Sequence, residues 1–189
     1  MPRAGLNRER IAAQAAVVAD EMGFDRLTLA AVAARCGVSL PGLYKHVSGL
    51  EAVKRDVAVL GIRELTAALA EAAAGLARRD ALHAIAAAFR RFATEHPGRY
   101  AASVHAPTMS DAEYVAASDG AVGVLAAVLK GYRIEGADMI DAVRMMRAAL
   151  HGFVSIETAG GFGIPQSVDA SYARLVDTLD EAWSTWGAS

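Results

Sequence analysis

Apolar residues recur at helical spacing almost from the first residue. Ile11, Ala15, Val18 and Met22 stand at i, i+4, i+7 and i+11, and the same rhythm returns along most of the 189 residues. No segment alternates apolar and polar positions as a strand would, so the pattern predicts an all-α fold. A first helix covers about residues 7 to 22 and stops at Gly23, a residue suited to a left-handed cap. Thr28 caps a second, short helix whose apolar face is Leu29, Val32, Ala33 and Cys36, and Gly37 ends it. Ser39 caps a third, with Pro41 in its first turn, where a missing N–H removes no helical hydrogen bond.

The tetrapeptide SGLE, residues 48 to 51, has the capping-box pattern and opens a long fourth helix with the stripe Leu50, Val53, Val57, Leu60, Leu65 and Leu69, running to about residue 74. Asp80 caps the next helix, striped by Leu82, Ile85, Phe89 and Phe92. The break HPGRY, residues 96 to 100, ends that helix, and a short irregular segment is expected after it. Two more helices are expected at about 111 to 132 and 136 to 158, then a loop AGGFGIPQS at 159 to 167, and a last helix to about Trp186.

Composition narrows the class. With 54% hydrophobic and 21% charged residues the chain has enough apolar surface to fold, which excludes a disordered segment. Cys36 is the only cysteine, so an internal disulfide and the two-cysteine zinc motifs are excluded; it reads as a small core residue. Gln14, Asp20 and Glu21 interrupt the first apolar run, which argues against a secretion signal. No uncharged run exceeds eleven residues, so a cytoplasmic protein without membrane contact is expected. The net charge of −2 hides an asymmetry: residues 1 to 55 carry eight Lys and Arg against five acids, and the remainder is acidic. A polyanion contact, if there is one, belongs to the first quarter.

Residues 29 to 48 meet the demands of a helix-turn-helix. Ala33 is small where two helices would cross, Gly37 supplies the turn, and Val32, Val38 and Leu43 are apolar where the unit packs on the first helix. Ser39, Pro41 and Gly42 let a backbone approach a major groove, with Leu40 placed for a thymine methyl. Tyr44, Lys45 and His46 supply donors at consecutive positions. The plain alternative is a helical hairpin whose polar residues are solvated.

The stretch LTLAAVAARCGVSLPGLYKHV, preceded by one helix and followed by another, resembles the DNA-binding domain of TetR-family transcriptional regulators over about residues 7 to 55. The resemblance implies a helix-turn-helix domain over residues 1 to 55 and an effector-binding and dimerisation domain over residues 56 to 189. It also implies a homodimer, usually a repressor, that leaves double-stranded operator DNA when a small molecule binds. Thr28 then meets phosphate, Ser39 and Leu40 lie at the groove, Tyr44 and His46 contact the backbone, and Lys45 reaches phosphate or a base edge. The family commonly has an aromatic residue where this chain has Val47, and a lysine where it has Leu50; Lys54, one turn later, is the candidate substitute.

In the body, RAALHGFVSIETAGGFG, residues 147 to 163, resembles the family's ligand-domain subgroup with a Trp…His-Gly signature; His151 and Gly152 are present and the tryptophan is not. Phe89, Phe92, Tyr100, His105, Met109, Tyr114, Met146 and His151 are candidates to line an effector pocket. Two stripes, one with Met139, Val143, Met146, Leu150 and Phe153, the other with Tyr172, Leu175, Leu179 and Trp183, are candidates for a dimer interface or for internal core. No cofactor is expected, no catalytic residue is assigned, and no pair of residues has metal-ligand spacing. Two other readings remain: a DNA-binding dimer without effector, and an all-α enzyme using His83, His105, His151 and Glu157 as acids and bases.

Overall fold

The computed structural model describes residues 6 to 104 and 110 to 186, and among them every regular element is helical. The order is α1 Arg8–Met22, α2 Leu29–Cys36, α3 Leu40–Leu43, α4 Leu50–Ala73, α5 Arg78–Glu95, α6 Pro97–Ser103, α7 Ala112–Lys130, α8 Gly136–Thr158 and α9 Val168–Trp186, with one 3-10 turn at Phe24–Arg26. The all-α fold read from the spacing is the fold observed.

Local signals explain most boundaries. Asn7 opens α1 by accepting the Arg10 N–H at 2.8 Å, and the Gly23 N–H closes it on the Ala19 carbonyl at 2.8 Å. Gly23 has φ 93° and ψ 141°, positive but outside the left-handed helical region, because the 3-10 turn follows directly. Two starts differ from the reading. The fourth helix begins at Leu50, after Gly49, one residue later than a box capped by Ser48 requires. The fifth begins at Arg78, so Asp80 lies inside its first turn, where a carboxylate faces the positive end of the helix dipole. The break HPGRY also does more than end α5: Pro97 occupies the first turn of α6, since a residue without an N–H loses nothing there.

The contacts group the chain into two compact units, neither of them a sequential half. One takes the chain up to Glu64 together with Glu95–Ser118; the other takes Leu65–Thr94 and the chain from Asp119 onward. In the first unit α1 packs against α2 and α6, burying Ile11, Ala15, Ala16 and Ala19. The approach of α6 is backbone to backbone: a Cβ on Gly98 would stand 2.1 Å from the Ala19 carbonyl carbon. In the second unit Leu82, Ile85, Leu129, Met146, Leu150 and Trp183 are fully buried.

Among the described residues one helix, α7, is long and apolar enough to cross a membrane by length and composition, with mean hydropathy 1.4. Asp119 stands in its middle, and a carboxylate at mid-membrane costs about 2.5 to 3.5 kcal/mol on insertion scales.

Candidate functional site

The segment from Thr28 to Val47 is built from caps and a tight turn. Thr28 Oγ1 accepts the Ala31 N–H at 3.2 Å and starts α2, and Gly37, left-handed at φ 70° and ψ 31°, ends it. Ser39 Oγ accepts the Gly42 N–H at 3.3 Å and starts α3. Beneath the turn Val32, Ala33, Leu43 and Val47 are buried. Each fully buried aliphatic side chain of this size contributes about 1.5 to 3 kcal/mol.

Facing solvent are Thr28, Ser39, Pro41, Lys45 and His46, with Leu40 39% and Tyr44 54% exposed; Gly42 is half-buried. These two large side chains therefore stand in water on a well-packed support.

The third helix keeps a single α-turn. Past Leu43 the chain continues as turns, with the His46 N–H donating to the Leu43 carbonyl at 2.9 Å. Gly42 inside so short a helix weakens it by about 1 kcal/mol relative to alanine, which accounts for the early loosening. Lys54 is half-buried, and its ammonium lies 5.5 Å from the centre of the Phe24 ring, a cation–π partner the sequence reading did not anticipate.

An ion cluster in the same unit also went unread. Asp56, the buried charged residue among the described ones, accepts from Arg8 of α1 and from Arg55 at 3.0 Å. Arg55 in turn holds Asp111 and Glu113, each at 2.6 Å. The Arg55 guanidinium holds the Asp111 carboxyl down to about 2, and lowers Glu113 as well. At the other end of α1, Asp20 accepts the backbone N–H of Arg99 at 2.9 Å, and Arg99 also reaches Glu64 at 3.1 Å. The one trace in the sequence was an acid at position 56, between Val53 and Val57 on an apolar stripe.

In the second unit α5, α8 and α9 border a cleft of about 470 Å³. His83, Ala86, Arg90 and Arg91 of α5 face Glu157 at the end of α8 and Tyr172 of α9 across it. Arg90 is bidentate to Glu157, bonds Asp169 at 2.7 Å, and lies 5.0 Å from the centre of the Tyr172 ring. The bond to Glu157 raises the Arg90 pKa above its ordinary value. His83 Nε2 is 2.9 Å from Asp177.

Among the described residues, none of those read as an effector pocket lines this cleft. Phe89, Phe92 and Met146 are buried core of the second unit, and His151 is half-buried beside Ser155, its pKa lowered by burial and then by Arg147. Tyr100 and Tyr114 are buried and belong to the first unit. His105 and Met109 lie outside the described residues.

The stripes read as interface or core turn inward. Val143, Leu150, Tyr172, Leu179 and Trp183 are buried within the single chain, Leu175 is half-buried, and Met139 sits half-buried near the start of α8. Tyr172, read as an interface residue, borders the cleft and donates to the Ala86 carbonyl at 2.8 Å. The apolar side chains that α8 leaves in water are Ile140, Met145 and Ile156. Among the described residues no three His, Cys, Asp or Glu side chains gather where a metal ion could sit.

A helix-turn-helix with a solvent-facing second helix, carried by a chain that continues as a helical bundle, defines a DNA-binding regulator of the two-part, all-helical kind. The chain belongs to the TetR family of transcriptional regulators. Residues 11–49 match the model of bacterial regulatory proteins of the tetR family, and residues 82–179 match the tetracyclin repressor-like C-terminal domain. An HTH-type transcriptional regulator of Mycobacterium tuberculosis, Rv0681, is 40% identical over 158 residues, covering 83% of this chain and 72% of its own. The HTH-type regulator YobS of Bacillus subtilis is 34% identical over 180 residues, covering 94% and 93%. A TetR variant from Acinetobacter baumannii AYE, solved in complex with minocycline, superposes with a TM-score of 0.73 at 20% identity, covering 98% of this chain and 100% of that one.

Proposed function

We propose that this regulator is a homodimeric repressor that leaves its operator when a small molecule binds the second unit. The observation that carries the DNA half is the exposed row Leu40, Tyr44, Lys45 and His46 above a fully buried Val32 and Leu43. In this reading Ser39, Leu40, Pro41 and Gly42 face the major groove, Thr28, Tyr44 and His46 take phosphates, and Lys45 takes a phosphate or a base edge. Lys54 reaches phosphate by exchanging its Phe24 partner for the anion. Residues 1 to 55 read DNA, and residues 56 to 189 sense the effector and pair the subunits.

Met145 and Ile156, eleven residues apart and so on one side of α8, support pairing, because apolar side chains of this size cost less when a second copy covers them. The cleft supports effector binding, being within the 300 to 1,000 Å³ range of small-molecule sites. The minocycline complex of the Acinetobacter TetR variant adds support by likeness of fold. The test is selection of duplexes from a random pool by the full-length protein, followed by a screen for compounds that release them. The expected result is a pseudo-palindromic site and at least one releasing compound. Retention of no duplex at low salt removes the reading.

A further inference from the structure

The cleft of the second unit holds an arginine prepared for a carboxylate. Glu157 occupies the Nε and Nη2 edge of Arg90, and Tyr172 lies against the guanidinium plane. The Tyr172 ring is itself fixed, since the phenol donates to the Ala86 carbonyl in a buried hydrogen bond. Two sides of the guanidinium are therefore occupied, one of them by a ring that is itself held. The remaining edge, Nη1, faces Asp169, whose side chain is 82% exposed. So exposed an acid is held weakly, because water competes for both partners. Next to it, Arg91 borders the same cleft with no hydrogen-bond or ion-pair partner for its guanidinium among the described residues.

Away from these cations the floor is made of Ala86, Ala87, Ala173 and Val176, small apolar residues that leave the volume open. From His83 to Arg91 the α5 side of the cleft rises through eight residue steps, or about 12 Å at 1.5 Å per residue. We infer that the cleft binds an amphipathic monocarboxylate, its head group displacing Asp169 from Arg90 and drawn by Arg91, its apolar body lying along the alanine floor. A charged guanidinium N–H left open at Nη1 favours a carboxylate over an ammonium or an alcohol. The inference deepens the proposed function by naming the chemical class of its effector and rests on that reading for the regulatory role, though not for binding itself.

The experiment is calorimetric titration of the full-length protein with octanoate, with octan-1-ol and octylamine as probes of the same apolar body. Octanoate is expected to bind once per chain, and octan-1-ol and octylamine more weakly. Arg91→Gln is expected to weaken octanoate about threefold to tenfold with an unchanged thermal midpoint, since neither the packing nor any ion pair depends on that side chain. Asp169→Asn removes the competing acid and is expected to tighten it. No octanoate binding at millimolar concentration, octan-1-ol bound as tightly as octanoate, or an Arg91→Gln protein unchanged in affinity overturns the assignment. Retention of the selected duplex, measured in parallel, separates the two claims. Octanoate that binds but releases no duplex upholds the cleft and removes the effector role; a releasing compound that octanoate cannot displace upholds the effector role and removes the cleft as its seat.

Discussion

The turn between α2 and α3 and the helices α5, α8 and α9 of the second unit answer to the same spacing rules, yet only the turn was readable down to single side chains. From Thr28 to Val47, Val32, Ala33 and Leu43 are buried as expected, Leu29, Val38 and Cys36, read as a core residue, are only half-buried, and Leu40, Tyr44, Lys45 and His46 lie outside. Everything that fixes this arrangement lies within a few residues: a threonine cap, a left-handed glycine, a serine cap and a proline at a helix start. In α8 and α9 the stripes were found correctly, but a stripe says which face is covered and not what covers it. Val143, Leu150, Leu179 and Trp183 are covered by their own chain. Local geometry is legible from neighbours in sequence; the partner of a helix face is a long-range fact.

The largest expected effect tests that contrast directly. Leu150 is 1% exposed in the single chain, so Leu150→Ala should cost about 2 to 5 kcal/mol, with a loss in thermal midpoint that does not depend on protein concentration. Met145, 44% exposed on the same helix, is the control: Met145→Ser should leave subunit stability within about 0.5 kcal/mol and raise the dimer dissociation constant. If Leu150→Ala instead acts only through dimer dissociation, α8 faces the other way and the inward stripe is a subunit seam.

A second substitution tests how local the first unit is. Gly98→Ala places a Cβ against the Ala19 carbonyl, and because backbone lies on both sides, α6 must shift away from α1. Overpacking of this kind costs about 1 to 3 kcal/mol, and denaturant unfolding should register it. The effect should extend to DNA affinity, since α1 is the support of the helix-turn-helix. Nothing within the first fifty residues foretold it. HPGRY read as a break because proline and glycine end helices; that they also start one and admit a close backbone was visible only in three dimensions. The ion cluster of Arg8, Arg55, Asp56, Asp111 and Glu113 was hidden for the same reason, because its members come from α1, α4 and the start of α7, far apart in sequence. Asp56 alone has a local trace, as an acid between two valines of the α4 stripe, and a lone charge does not name its partners.

A smaller loss is expected at the cap. Thr28→Ala removes the acceptor of the Ala31 N–H, and caps of this type are worth about 1 kcal/mol. The same hydroxyl is proposed to meet phosphate, so DNA affinity should fall by more than the stability loss explains. Thr28→Ser, which keeps the cap and the hydroxyl, should restore both; restored stability without restored affinity separates the two roles.

The smallest effect on the fold, and the most specific on binding, is expected at Lys45. Its side chain is exposed, so Lys45→Ala should leave unfolding within about 0.5 kcal/mol of the parent. On DNA the loss has a characteristic form. A lysine that neutralises one phosphate releases about one condensed counterion, so removing it should lower the log-log salt slope by about 0.9 while weakening all sequences alike. A base-reading lysine behaves differently: affinity falls for the selected site and much less for random duplex. Measuring both duplexes across a salt series therefore decides between phosphate and base edge. A Lys45→Ala protein unchanged on both duplexes at every salt concentration would show that the row above Leu43 does not face DNA, and the most legible part of the chain would then have been read for the wrong partner.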